Sequence, residues 1–217
     1  MGSHIHTRVS PCSTFKIALS LMGFDAGILE NEEQPIWHYQ SGYDDFLEVW
    51  KLPQTPQSWM RSPCVWYSNE IAFALGLKKI QHYLNQFDYG NRDMSSGLIE
   101  HGKNPTWVNA SLEISPMEQA FFISNLINDH LPVSFHALKM TKAILLKEDF
   151  NDWKLFGKTG WSGSVEKNDL EHGWFIGWIE KDDQHYPFAY LAQDKKIKLD
   201  QRIPRVKELI KMVNLGQ

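Results

Sequence analysis

Apolar residues run almost unbroken from Phe15 to Phe24, with Ser13 ahead of them and Gly27 behind. A run that is apolar on every side predicts a buried helix, opened near Ser13 at the rim of a cleft and closed at the glycine. Residues 31–61 scatter Pro35, Pro53, Pro56 and Gly42 among polar positions, the mark of a loop-rich excursion. Trp66 to Leu75 predicts a helix that Gly76 stops, and Lys78 to Phe87 predicts another. Ser115-Pro116-Met117-Glu118 has the form of a capping box with proline at the first helical position. A helix is therefore expected from Pro116 to about His130, and a further one from Val133 to Leu146.

The character of the chain changes after Asn151. Trp153 to Gly160 reads as a strand ending in a glycine turn, and Gly173–Lys181 and Tyr186–Gln193 as two more, joined through Asp182-Asp183. Ile203, Val206, Leu209, Ile210 and Val213 share one face of a last helix, Pro204 to Asn214, suited to covering that sheet. Helices first, an antiparallel meander next and a covering helix last predict an α+β fold with three strands. No repeat or linker divides the 217 residues, so one domain is expected: a mainly helical part over 13–150, then sheet and helix over 151–217.

Charge and composition remove several function classes. A net charge of −4 with no basic–aromatic stripe argues against nucleic acid as a partner, and no apolar run is long enough for a membrane span. Neither Cys12 nor Cys64 has a histidine or cysteine at ligand spacing, and the nine histidines are scattered, so no metal is expected. Met1-Gly2-Ser3-His4 reads as an appended start, and no signal peptide is visible.

The chemistry lies in two short motifs. Ser13 and Lys16 stand three residues apart, which puts both side chains on one face of a helical turn. An amine there can take the hydroxyl proton and make serine a nucleophile. Far downstream, Lys158-Thr159-Gly160 offers a cationic, hydrogen-bonding wall for a substrate carboxylate. In this order the two motifs point to acyl transfer through a serine ester.

With Ser62-Pro63-Cys64-Val65-Trp66, Phe87-Asp88-Tyr89-Gly90-Asn91 and Trp107 ahead of Leu112-Glu113-Ile114-Ser115, the chain resembles the class D (oxacillinase-type) serine β-lactamases from about residue 7 to its end. That resemblance implies a helical subdomain beside an antiparallel sheet covered by helices, with the active site at the junction. It implies that Ser13 is the nucleophile and that Lys16, carboxylated by carbon dioxide, is the general base. Ser62 would relay a proton to the leaving nitrogen. Lys158, Thr159, Gly160 and Trp161 would bind substrate, with the backbone N–H groups of Trp161 and Ser13 as an oxyanion hole, and Arg202 would help with the carboxylate. Phe15, Cys64 and Trp107 would line the carbamate pocket, and Tyr89, Gly90 and Asn91 would shape the cleft. Cys64 departs from the family's usual valine; cysteine keeps the pocket small and nearly apolar. An apolar pocket should also hold Lys16 as the neutral amine that carbon dioxide attacks.

The family usually carries strands of the sheet ahead of the nucleophile, where only twelve residues precede Ser13. An unpaired strand edge, bare apolar surface at Trp174, Phe175 and Ile179, and dimerisation through that edge are therefore expected. The resemblance implies a periplasmic protein whose partner is a small β-lactam and which needs no cofactor beyond carbon dioxide or bicarbonate. Two other outcomes share the motifs: a β-lactam sensor, acylated without turnover, and an inert penicillin-binding remnant. Cys64 and Trp107 favour the hydrolase over the sensor.

Overall fold

The computed structural model describes residues 4–45, 47–62, 64–98, 105–150, 153–163 and 169–213. Met1 to Ser3, Pro63, Asn151 and Asn214, which figure in the expectations above, lie outside them.

Seven α-helices and four strands make up the described fold: α1 Lys16–Asp25, α2 Pro56–Arg61, α3 Trp66–Leu75, α4 Leu77–Phe87, α5 Pro116–Ile127, α6 Phe135–Ile144, β1 Leu146–Phe150, β2 Trp153–Trp161, β3 Glu171–Lys181, β4 Gln184–Asp194 and α7 Arg202–Met212. Every residue of α1 from Lys16 to Phe24 is buried, as an all-round apolar helix must be. It packs against α3 and α6 at the centre of the helical part. By contrast α4 buries only Ile80, Leu84 and Phe87, one stripe at helical spacing.

The sheet is an antiparallel meander in the order β1-β2-β3-β4. Its two-residue β3–β4 turn, Asp182-Asp183, has both residues at positive φ (48° and 60°), the twist a tight hairpin requires. Successive side chains of β3 face opposite ways. Trp174, Ile176 and Trp178 join the main core under the helices. Phe175 and Ile179 join Leu155, Val206 and Ile210 in a second cluster beneath α7. The central strand is thus covered on both faces. The bare surface expected at Trp174, Phe175 and Ile179 does not exist; all three are buried.

Other expectations are corrected locally. The helix expected to reach Leu146 stops at Ile144, and the chain turns straight into β1, which pairs with β2 and makes the sheet four-stranded rather than three-stranded. The loop-rich excursion holds α2, capped by Thr55 in a reciprocal box with Ser58, where serine stands in for the usual acidic or amide partner. The Ser115–Glu118 box forms as expected, but its helix ends at Ile127, ahead of a left-handed Asp129 (φ 57°).

Candidate active site

Cys12–Phe15 form a 3-10 turn that runs directly into α1. Of residues 10–24, Ser13 alone reaches the surface from an otherwise buried segment. The turn is held rigidly. Cys12 sits at φ 52°, a costly conformation for a residue with a side chain. Its N–H donates to the Trp107 carbonyl at 2.7 Å, and the Ser10 hydroxyl donates to that same oxygen at 2.7 Å. Burial pushes the Cys12 thiol up to about 12, so it remains a thiol.

One helical turn on, Lys16 points away from solvent. Its Nζ donates to three backbone carbonyls, one in α2 and two in the α2–α3 connection: Trp59 at 3.0 Å, Ser62 at 2.9 Å and Cys64 at 2.9 Å. The Trp59 ring lies 5.2 Å away as a cation–π neighbour. The pocket expected to be apolar thus also turns three carbonyls toward the amine. Three acceptors match the three donors of an ammonium, so burial and charge are reconciled by hydrogen bonds. Burial raises the Cys64 thiol, with the Lys16 charge opposing it. The Ser62 hydroxyl is buried with no hydrogen-bond partner among the described residues. The pocket therefore fits the charged lysine and keeps in reserve one hydroxyl donor, the kind of group a carbamate oxygen would satisfy.

The sheet supplies the other wall. Gly160 of β2 backs directly on the Cys12–Phe15 turn: an added Cβ there would lie 3.0 Å from the Pro11 carbonyl oxygen and 3.1 Å from Thr14 Cγ2. A side chain there would have to push its neighbours aside by a few tenths of an ångström, so glycine lets β2, which carries Lys158, Thr159 and Trp161, pack directly on the Cys12–Phe15 turn. Lys158 is buried, paired in register with Ile176 of β3. Thr159 and Trp161 are half-buried, and the Trp161 indole donates to Glu171 at 3.2 Å. Arg202, at the start of α7, donates from Nη1 to the Gly160 carbonyl at 2.6 Å and from Nε to the Leu199 carbonyl at 2.9 Å. Burial lowers its pKa, and the two carbonyls give the buried guanidinium its hydrogen-bond partners.

Phe15 lies between Trp107 (ring centroids 5.0 Å) and Tyr89 (5.5 Å), which joins the Cys12–Phe15 turn to the loop of Tyr89, Gly90 and Asn91. Gly90 (φ 56°) passes so close to the Glu113 carbonyl that a Cβ would collide with it. Asn91 stitches that loop down, donating to the Ser111 carbonyl at 2.7 Å and accepting from the Glu113 N–H at 3.0 Å. Tyr67-Ser68-Asn69 is structural: Ser68 accepts from the Trp59 indole at 2.8 Å and Tyr67 donates to the Pro35 carbonyl at 3.0 Å.

Sequence reasoning passed over His172, Trp174 and Asn109. The rings of His172 and Trp174 both bond the Ser10 carbonyl, and Asn109 spans from Ser10 to Ser162. Nothing in the sequence pairs these residues; the alternation of β3, which sends 172 and 174 to one face, was the available signal. Among the described residues no group of three or more His, Cys, Asp or Glu is placed to hold a metal. No described helix is long and apolar enough to cross a membrane.

Comparison with known proteins places this geometry. Residues 2–211 match the penicillin-binding protein transpeptidase domain. The chain is 41% identical to the β-lactamase OXA-1 of Escherichia coli over 186 residues, 84% of this chain and 66% of that protein. It is 35% identical to OXA-9 of Klebsiella pneumoniae over 198 residues, 87% of this chain and 72% of that one. The crystal structure of FUS-1 (OXA-85), a class D β-lactamase from Fusobacterium nucleatum subsp. polymorphum, superposes with a TM-score of 0.86 at 30% identity, covering 99% of this chain and 86% of the other.

Proposed function

Since the chain belongs to the class D (OXA-type) β-lactamases, with the fold of the penicillin-binding transpeptidase domain, we propose that it hydrolyses β-lactam antibiotics through an ester on Ser13. The observation that carries this reading is Ser13 itself: the one surface-reaching residue on a buried, strained turn, set against Lys16 on one side and Gly160 of β2 on the other.

The roles follow from position. Lys158, Thr159 and Arg202 would draw the substrate carboxylate to the end of β2. The backbone N–H groups of Ser13 and Trp161 would stabilise the oxyanion as the Ser13 Oγ–carbon bond forms and the lactam carbon–nitrogen bond breaks. Ser62, beside Lys16, would hand a proton to the departing nitrogen. Water then cleaves the ester, returning the proton to Ser13. A carbamate on Lys16 would supply the base for both halves of the cycle. Ser62, Trp107 and Phe15 would house it, once the three carbonyls around Nζ yield their donor. The family also points to the periplasm as the place of action.

A second reading has its own support. An ammonium held by three carbonyls is no base, so a site whose lysine falls back to that form once Ser13 is acylated would stall as the ester, as a β-lactam sensor does. Labelling with a fluorescent penicillin, with Ser13→Ala as control, followed by steady-state nitrocefin turnover, tests both. Sustained, bicarbonate-stimulated hydrolysis supports the enzyme. A single burst supports the sensor, and no label on Ser13 defeats both.

The outer edge of β4 has no strand partner among the described residues. A second copy of the chain, pairing edge to edge, is the partner we propose for it.

A further inference from the structure

The Ser10 carbonyl, three residues ahead of Ser13, accepts from two rings of β3: the indole Nε1 of Trp174 at 2.9 Å and the imidazole Nε2 of His172 at 3.0 Å. A carbonyl oxygen has no proton to give. At 3.0 Å Nε2 must therefore carry the hydrogen, which fixes the tautomer with Nδ1 bare. The Cys12 thiol, 3.5 Å from the same Nε2, is thereby denied an acceptor there and has the Ser10 carbonyl, also at 3.5 Å, instead.

The same histidine grips the substrate strand with its backbone. Its N–H donates to the Ser162 hydroxyl at 3.1 Å, and its carbonyl accepts from the Ser162 N–H at 3.0 Å, one residue past Trp161. His172 is buried, so these bonds are made out of water, where a lost partner is costly. Among the described residues His172 bonds the nucleophile turn through its ring and the end of β2 through its main chain. The turn it holds contains the positive φ of Cys12, which relaxes if its neighbours let go.

We propose that His172 is a positioning residue. It sets the separation between Ser13 and the Lys158-Thr159-Gly160-Trp161 wall by clamping the Ser10–Cys12 turn to the end of β2. The proposal rests on the reading of Ser13 as the acylated residue. Acyl transfer is steep in that separation, and a misplacement of about 1 Å costs up to about a hundredfold in rate.

The test compares His172→Leu, which keeps bulk and loses the donor, with His172→Gln, whose Nε2 stands the same number of bonds from the backbone. With a chromogenic β-lactam, the leucine variant should acylate about tenfold more slowly. The inhibition constant of a non-reacting competitor should be unchanged, and glutamine should restore most of the rate. Equal melting temperatures for the two variants with unequal acylation would separate positioning from stability. Wild-type acylation by the leucine variant would overturn the proposal. If His172→Leu does not fold, Ser162→Ala, which removes an acceptor of the same clamp, should show the same loss in smaller measure, and wild-type acylation by it would count against the clamp. Should the wild type itself not acylate, the functional reading fails. The clamp is then judged by nitrogen-15 shifts of the His172 ring: Nε2–H held across neutral pH supports it, and Nδ1–H or free exchange between tautomers overturns it.

Discussion

The carbonyl of Ser62 accepts from Lys16 Nζ at 2.9 Å while the hydroxyl of the same serine is buried with no hydrogen-bond partner among the described residues. One residue thus anchors the buried cation through its main chain and withholds its side chain. An unsatisfied buried hydroxyl costs about 1–3 kcal/mol, a penalty evolution rarely keeps outside a functional site.

Ser62→Ala should therefore leave the melting temperature unchanged or raise it slightly, because the alanine removes an unpaired polar atom and keeps the carbonyl. Acylation should fall by about a hundredfold or more, the usual scale for losing a proton relay. Calorimetry and stopped-flow labelling together check this. A stability loss with preserved acylation would mean that the hydroxyl is a packing group.

Arg202→Ala should raise KM for a carboxylate-bearing β-lactam by about tenfold and leave kcat within about threefold, the pattern of a lost binding contact. The guanidinium also holds the Gly160 carbonyl, so a purely structural role would penalise every substrate alike. A β-lactam whose carboxylate is esterified distinguishes the two. Wild type and variant should handle it equally well.

The Arg8–Glu118 pair fixes the pH dependence of the α5 terminus. Burial alone would raise the Glu118 carboxyl; the Arg8 guanidinium, with Nε 3.0 Å from both carboxylate oxygens, and the Ser115 N–H and hydroxyl outweigh it and hold the group at about 2. A folded value below the unfolded one, near 4.5, means stability that is full above about pH 5 and lost as pH falls towards 2. Glu118→Gln should cost about 1–2 kcal/mol at neutral pH, after allowance for solvent screening. Denaturant titrations should show that gap closing between pH 5 and pH 2; a gap constant with pH would contradict the assignment.

Pro187 lies in β4 opposite Trp178 and has no N–H to give, so its nitrogen belongs on the open edge rather than in the ladder to β3. Residues of the same parity, Ala189 and Leu191 among them, then turn their backbone groups outward. If two copies pair along this edge, light scattering should report a concentration-dependent dimer. Ala189→Pro should abolish it with little change in melting temperature. A monomer at every concentration tested would remove the proposed partner.

Much of this was legible from the order of residues. Ser13 with Lys16, the glycine stops at Gly27 and Gly76, and the Ser115–Glu118 box are local rules, decided within a turn or two of chain by backbone geometry. The apolar run of β3 likewise announced the sheet; of the face expected on α7, Val206 and Ile210 are buried and Ile203 packs beside them, while Leu209 and Val213 are exposed. The limit of α6 was not legible, because Lys142 to Leu146 suits helix and strand about equally, and pairing of β1 with β2 decides it. Nor was α2, whose cap uses a serine where the usual signature has an acid or amide.

What only the tertiary structure decided is how groups far apart in sequence satisfy one another. Lys16 Nζ is held by carbonyls more than forty residues away, which no local pattern announces. His172 and Trp174 meet Ser10 across about 160 residues. The sequence by itself determined which motifs are present, because serine, cation and glycine turn are each written within a few adjacent residues. Folding decided donor direction and separation. Those depend on burial and on which backbone groups arrive beside each side chain, and no local pattern carries that information.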